Sequence, residues 1–216
     1  MKFRLVLLCI MGILQLGLSS ASAQAATILV YGDSLSAAYG IPREQGWVAL
    51  LESRLTSQNQ PHQVINASIS GETTAGGWSR FPAALNQHKP DIVILELGAN
   101  DGLRGLPIAQ MRSNLLNMIR ASKKSGARVL LLGMMIPPNY GPKYAREFSL
   151  SFTEIAQEQQ LPLVAFFLDG VTGQAEFTQD DGLHPKANAQ GKILDNVWKG
   201  LSPMLKGGTG KSGKVN

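Results

Sequence analysis

With 216 residues the chain has the length of one domain and enough of it to bury a substantial core. Of its 20 Lys and Arg, some stand in the N-terminal segment (Lys2, Arg4) and some at the Gly-rich end (Lys206, Lys211, Lys214), so the body between carries 15 basic against 15 acidic residues and no clustered basic face for nucleic acid. Three scattered His and a single Cys make no metal-ligand cluster, so neither a metal nor another cofactor is expected.

The first element is a targeting segment. Lys2 and Arg4 precede an apolar stretch at 5–18 that is too short to span a bilayer comfortably, and Ala21-Ser22-Ala23 and Ala23-Gln24-Ala25 both have the small-residue pattern of a cleavage site. Residues 1–25 are therefore predicted to be a signal peptide. The product is periplasmic or secreted, with no stable membrane span after cleavage. Cys9 leaves with the signal, so the mature chain has neither thiol nor disulfide.

Residues 26–205 are predicted to form one domain. Strand-like runs at 28–31, 63–67, 92–97, 128–132 and 163–167 alternate with helix-like runs at 47–57, 73–88, 108–125, 143–160 and 187–204. The third and fourth strands are nearly continuous in Val, Ile and Leu, as strands buried on both faces are. Ile108, Met111, Leu115, Met118 and Ser122 recur at spacings of three and four, which gives that helix one buried face, and Gly126 stops it. Strict alternation implies parallel strands with right-handed crossovers, hence an α/β three-layer α/β/α sandwich. Residues 206–216 read as a flexible Gly/Lys-rich tail, and Gly207-Gly208-Thr209-Gly210-Lys211-Ser212 is one residue short of a phosphate loop and has no strand before it.

Chemistry-bearing residues fall just after the strands, where open α/β sheets hold their sites. Gly32-Asp33-Ser34-Leu35-Ser36 follows the first strand and supplies a hydroxyl nucleophile, which needs a base within hydrogen-bond reach. Asp181-Gly182-Leu183-His184-Pro185, before the last helix, supplies imidazole and carboxylate three residues apart. His62 and His88 sit in polar stretches and are expected on the solvated surface. Gly32-x-Ser34-x-Ser36 lacks the last Gly of the α/β-hydrolase elbow, which argues against that fold. Asp33 is expected to hold the turn through backbone hydrogen bonds, with Ser36 similarly local. Ser34 is expected to open a helix, with its N–H at the helix N-terminus. Asn66-Ala67-Ser68 is a formal glycosylation sequon without evident meaning.

Two further blocks, Ser68-Ile69-Ser70-Gly71-Glu72-Thr73 and Leu97-Gly98-Ala99-Asn100-Asp101-Gly102, complete a set of four. Alone, Gly71 reads as a turn glycine and Asn100 as an Asx turn. Together the four blocks resemble the GDSL, or SGNH, hydrolase family over roughly residues 27–205, near its bacterial thioesterase, lysophospholipase and arylesterase branch. Ala99 is the one departure, where relatives often carry a second Gly.

The resemblance implies a flavodoxin-like sheet of order 2-1-3-4-5 and a Ser34–His184–Asp181 triad, with Asp181 rather than Asp180 as the acid. It also implies an oxyanion hole from the Ser34 N–H, the Gly71 N–H and the Asn100 amide. The activity implied is ester and thioester hydrolysis through an acyl-enzyme.

The stretch from Gly133 to Gly141 is apolar and stiffened by prolines. Ile136, Pro137, Pro138, Asn139 and Tyr140 are expected to form a groove for an acyl chain, while Met134 and Met135 suit either the groove or the core strand. Segments 75–81 and 103–107 would form the other rim. The expected partner is a small acyl ester or lipid, and the expected state a monomer. A carbohydrate O-acetyl esterase would use the same machinery, but Trp47 and Trp78 read as packing residues rather than sugar platforms. A non-catalytic lipid carrier would reuse the fold, against which Ser34, Asp181 and His184 all weigh.

Overall fold

A computed structural model describes residues 25–206. The expected signal peptide, except Ala25, and the tail after Lys206 lie outside the described residues. The elements are β1 (Thr27–Gly32), α1 (Trp47–Ser57), β2 (Gln63–Asn66), α2 (Thr74–His88), β3 (Ile92–Glu96), α3 (Ala99–Leu103), α4 (Ile108–Lys124), β4 (Arg128–Leu132), α5 (Pro142–Gln159), β5 (Leu163–Val164) and α6 (Gln190–Lys206). The five strands form one parallel sheet in the order β2-β1-β3-β4-β5, with Ile28 opposite Ile92 and Ile92 opposite Arg128. α1 packs on α6, while α2 packs on α4 and α4 on α5, so helices form two groups about the sheet. This is the expected three-layer sandwich.

The burial follows from the sequence pattern. All five residues of β3 are buried, as expected of a central strand covered on both faces. Met111, Leu115, Met118 and Ser122 form the inward stripe of α4, and Ile108 is half-buried at its start. Gly126, at φ +87°, takes the left-handed turn after that helix. Trp47 is fully buried, edge-on to Phe167, and Trp78 packs half-buried against the core.

Four features differ from the sequence reading. β5 is only two residues long: Ala165 lies over Gly133, and the chain then leaves the ladder so that Phe167 enters the core. α3 is an extra helix; Gly98 at φ +123° turns the chain into it, and five residues are too few to show a helical period. Ser34 does not open a helix. Ala37 N–H bonds to Asp33 O and Tyr39 N–H to Ser34 O, so residues 33–40 form successive turns, and the helix-end contribution to anion binding is lost. His62 and His88 are half-buried rather than solvated; His62 Nδ1 accepts the Ala26 N–H at 3.1 Å, and burial, then Arg128, lowers its pKa.

Candidate active site

The carboxyl edge of the sheet gathers the four blocks. Ser34 follows β1, Gly71 lies between β2 and α2, and Asn100 sits in α3 after β3. The fourth block arrives from the long stretch between β5 and α6, which a backbone hairpin closes. Gln179 N–H bonds to His184 O, Lys186 N–H bonds to Phe177 O, and Thr178 bridges Pro185.

Within that hairpin the spacing of acid and imidazole has a local cause. Asp181 Oδ1 accepts the N–H groups of Leu183 and His184, each at 2.9 Å, an Asx-type turn helped by Gly182 at φ +73°. The other oxygen, Oδ2, is then left facing His184 Nδ1 at 2.6 Å. The His184 N–H, the Leu183 N–H and the imidazole together hold the Asp181 carboxyl down at about 2, against the opposing effect of burial. His184 Nε2 lies 2.9 Å from Ser34 Oγ, across 150 residues of chain. Asp180 is exposed to solvent.

Below Ser34 lies a polar floor that sequence reading missed. Asp33 is fully buried; its Oδ1 accepts the Leu35 N–H at 3.0 Å and its Oδ2 accepts Asn100 Nδ2–H at 3.1 Å. Asp33 thus holds the turn as expected and orients the Asn100 amide as well. Ser36 is not local: its hydroxyl donates to Glu96 Oε2 at 2.6 Å, and the Asp33 N–H reaches the same oxygen. Burial pushes the Asp33 carboxyl up to about 6, with nearby Asp101 adding to the rise, and pushes the Glu96 carboxyl well above the usual range, where the Asp33 charge raises it further.

A carboxyl whose pKa is raised by folding stabilises the fold below its unfolded value and loses that contribution as pH rises through the folded value. Glu96→Gln keeps the acceptor for Ser36 and Asp33 and removes the ionisable group. Any fixed cost of the new amide, at a carboxyl oxygen that has no hydrogen-bond partner, is the same at every pH. The melting temperature of Glu96→Gln relative to the wild type is therefore expected to rise between pH 5 and pH 8, each ~1 kcal/mol of relief being worth about 2–4 °C in a chain of this size. An unchanged difference in paired thermal melts would show that Glu96 carries no such penalty.

Gly71 is exposed and left-handed, at φ +78°, and a side chain there would meet nothing closer than Arg104 Nη2 at 3.8 Å. Two arginines brace its loop: Arg104 donates to Gly71 O at 2.9 Å, and Arg80 reaches Ala67 O and Glu72, both at 2.7 Å. Buried Asp101 ties α3 to the start of α2 by accepting the Thr74 N–H and hydroxyl, and Asn114 of α4 donates to that hydroxyl. Asn100 and the Gly71 loop are thereby fixed from both sides.

Ser34, Gly71, Asn100 and His184 open on one cleft of about 300 Å³. Its walls are mainly apolar: Ile136 and Pro137 of the expected groove line it, as do Met134, Met135, Leu103 and Leu183. Asn139 and Tyr140 lie beyond this wall in a 3-10 turn and are exposed, and the Pro138 side chain lies outside what the structure describes. The expected rim at 75–81 is not there, because Gly77 and Phe81 face inward toward Leu97 and Tyr31. Tyr39, Leu168 and Thr172, unnoticed in the sequence, also line it. A larger, shallower depression of about 370 Å³ beside β5 contains none of these residues. Among the described residues no group of three or more His, Cys, Asp and Glu is placed to hold a metal ion, and no helix is long and apolar enough to cross a membrane.

A parallel sheet of this order, with Ser, Gly, Asn and His collected at its carboxyl edge, is the frame of an SGNH-type ester hydrolase. Residues 30–191 match the model of the GDSL-like lipase/acylhydrolase family. Esterase TesA of Pseudomonas aeruginosa is 49% identical over 198 residues, covering 92% of this chain and 98% of that protein. Thioesterase 1/protease 1/lysophospholipase L1 of Escherichia coli K12 is 40% identical over 188 residues, covering 87% and 89%. The crystal structure of the psychrotrophic esterase EstA from a Pseudoalteromonas species, inhibited by monoethylphosphonate, superposes with a TM-score of 0.80 at 43% identity, covering 83% of this chain and 98% of that one. The chain belongs to the GDSL-like lipase/acylhydrolase family and is a carboxylic ester hydrolase.

Proposed function

We propose that the mature protein is a periplasmic or secreted serine esterase that cleaves acyl esters and thioesters through Ser34, His184 and Asp181. The observation that carries this reading is the unbroken line from Ser34 Oγ to His184 Nε2, at 2.9 Å, and from His184 Nδ1 to Asp181, at 2.6 Å, ending in an apolar cleft. Residues 1–25 would direct export and be removed. Residues 26–205 would form the enzyme, as a monomer, and 206–216 a flexible tail.

In this mechanism Ser34 Oγ attacks the acyl carbon as His184 Nε2 takes its proton. Asp181 keeps hydrogen on Nδ1, leaves Nε2 as the acceptor, and stabilises the imidazolium. The oxyanion is met by the N–H groups of Ser34 and Gly71 and by the second Nδ2 hydrogen of Asn100, the first being committed to Asp33. Each such donor is worth about 10²–10³ in turnover. His184 returns its proton to the departing alcohol or thiol. Water, activated by the same imidazole, then releases the acid and frees Ser34.

The cleft walls support acyl chains as substrates, since Met134 and Met135 adapt to varied apolar shapes. Rates on p-nitrophenyl esters from acetate to palmitate, with Ser34→Ala in parallel, test this. Ser34-dependent turnover with an optimum at medium or long chains is expected. Turnover confined to acetate would indicate a glycan O-acetyl esterase, and stoichiometric binding without turnover a lipid carrier.

A further inference from the structure

Tyr39 lies five residues beyond the nucleophile, on the same run of turns, and its ring packs against the His184 imidazole with centroids 4.4 Å apart and planes at 39°. The ring is not simply tucked away. Tyr39 is 51% exposed, whereas the His184 side chain is only 19% exposed. The backbone is bent to put it there: Ala38 and Gly40, on either side, both have positive φ, at 59° and 75°. A left-handed alanine is disfavoured on its own and persists where the surroundings over-determine it.

Gln179 supplies part of that constraint. Its side-chain amide donates to Tyr39 O at 2.9 Å and Pro185 O at 3.0 Å, and its backbone N–H donates to His184 O at 2.8 Å. One residue thus joins the turn that carries Ser34 to the hairpin that carries His184. It approaches so closely that a Cβ on Gly40 would collide with its amide.

We propose that Tyr39, clasped by Gln179, is a positioning residue that acts through His184: its aromatic ring covers one imidazole face and favours the imidazolium formed in each half-reaction. The proposal rests on the triad mechanism above. The π face attracts a cation, and the imidazolium is the one cation the reaction creates at this place. Asp181 meets that cation at Nδ1, and buried Asp33 also senses its charge; Tyr39 adds a contact that neither carboxylate provides.

Tyr39→Phe, Tyr39→Leu and Gln179→Ala, assayed on p-nitrophenyl butyrate beside the wild type and Ser34→Ala, test the proposal. Tyr39→Leu is expected to lower kcat about 2- to 30-fold, the range of a cation–π contact, with KM nearly unchanged. Tyr39→Phe should keep kcat, because the ring and not the hydroxyl is used. Gln179→Ala should lower kcat in the same direction. A Leu variant that keeps kcat and raises KM would make Tyr39 a wall of the cleft and nothing more. A Phe variant as slow as Leu would transfer the role to the hydroxyl and overturn the proposal, as would full kcat in Gln179→Ala. Thermal melts verify folding, and Tyr39→Met replaces Tyr39→Leu if the latter unfolds early. Absence of Ser34-dependent turnover in the wild type would instead sink the esterase mechanism, so the two failures are distinct.

Discussion

Ser34→Ala is expected to lower kcat/KM for a short-chain p-nitrophenyl ester about 10⁶-fold, with stability changed by no more than about 0.5 kcal/mol. Both halves of the expectation come from the surroundings of one hydroxyl. Ser34 is half-buried at the cleft, and its Oγ faces His184 Nε2 rather than the core. Removing it takes away the nucleophile but no packed surface. His184→Ala should cost about as much, and the double variant little more, because nucleophile and base act as a unit. Steady-state rates and thermal melts of the three variants check this. A Ser34→Ala protein within tenfold (about 1.4 kcal/mol) of wild-type kcat/KM would end the serine mechanism.

Asp181→Asn tests a subtler point, and a loss of about 10⁴-fold in kcat is expected. The asparagine oxygen can still accept the Leu183 and His184 N–H groups that shape the turn, so the hairpin should keep its form. The change falls on the atom that faces the imidazole. Where the carboxylate Oδ2 accepts a proton from Nδ1, the asparagine amide offers one. Nδ1 must then be the acceptor and Nε2 the protonated nitrogen, aimed at Ser34 with no lone pair to take its proton. The backbone donors that hold Asp181 at about 2 also keep it ionised across the working range of pH, and its contribution to stability is lost only as pH falls toward that value. A kcat within tenfold (about 1.4 kcal/mol) of the wild type would show that Asp181 does not set the tautomer.

Much of the frame was legible because buried parallel strands announce themselves. The apolar runs of β3 and β4 announce a covered sheet, and the spacing of Met111, Leu115 and Met118 declares the inner face of α4. The four blocks were legible through their family resemblance, and three of them follow β1, β2 and β3, so one sheet edge collects them. What escaped were polar residues whose meaning comes only from partners distant in sequence. Glu96 reads as the polar end of a strand until Ser36, 60 residues away, donates to it. Asp101 reads as part of an Asn-Asp-Gly turn until Thr74 and Asn114 surround it. Arg80 and Arg104 fall in the segments expected to rim the groove, yet they brace the loop of Gly71. The shape of the Ser34 turn was misread because Leu35 to Tyr39 has the composition of a helix start, while left-handed Ala38 prevents one. No local pattern reveals that Tyr39 will meet an imidazole delivered from the other end of the chain.

The hairpin at 177–186 has a consequence for how the enzyme comes into being. Its acid and imidazole are adjacent through bonds made entirely within one short segment, so bringing that pair together closes only a short loop. Ser34, the proposed nucleophile, lies far back in the chain, and the distance between it and His184 closes only when a loop of 150 residues does. In the proposed mechanism ester cleavage therefore marks the completion of folding, and a chain halted before that closure would hold both halves of the machinery while remaining chemically silent.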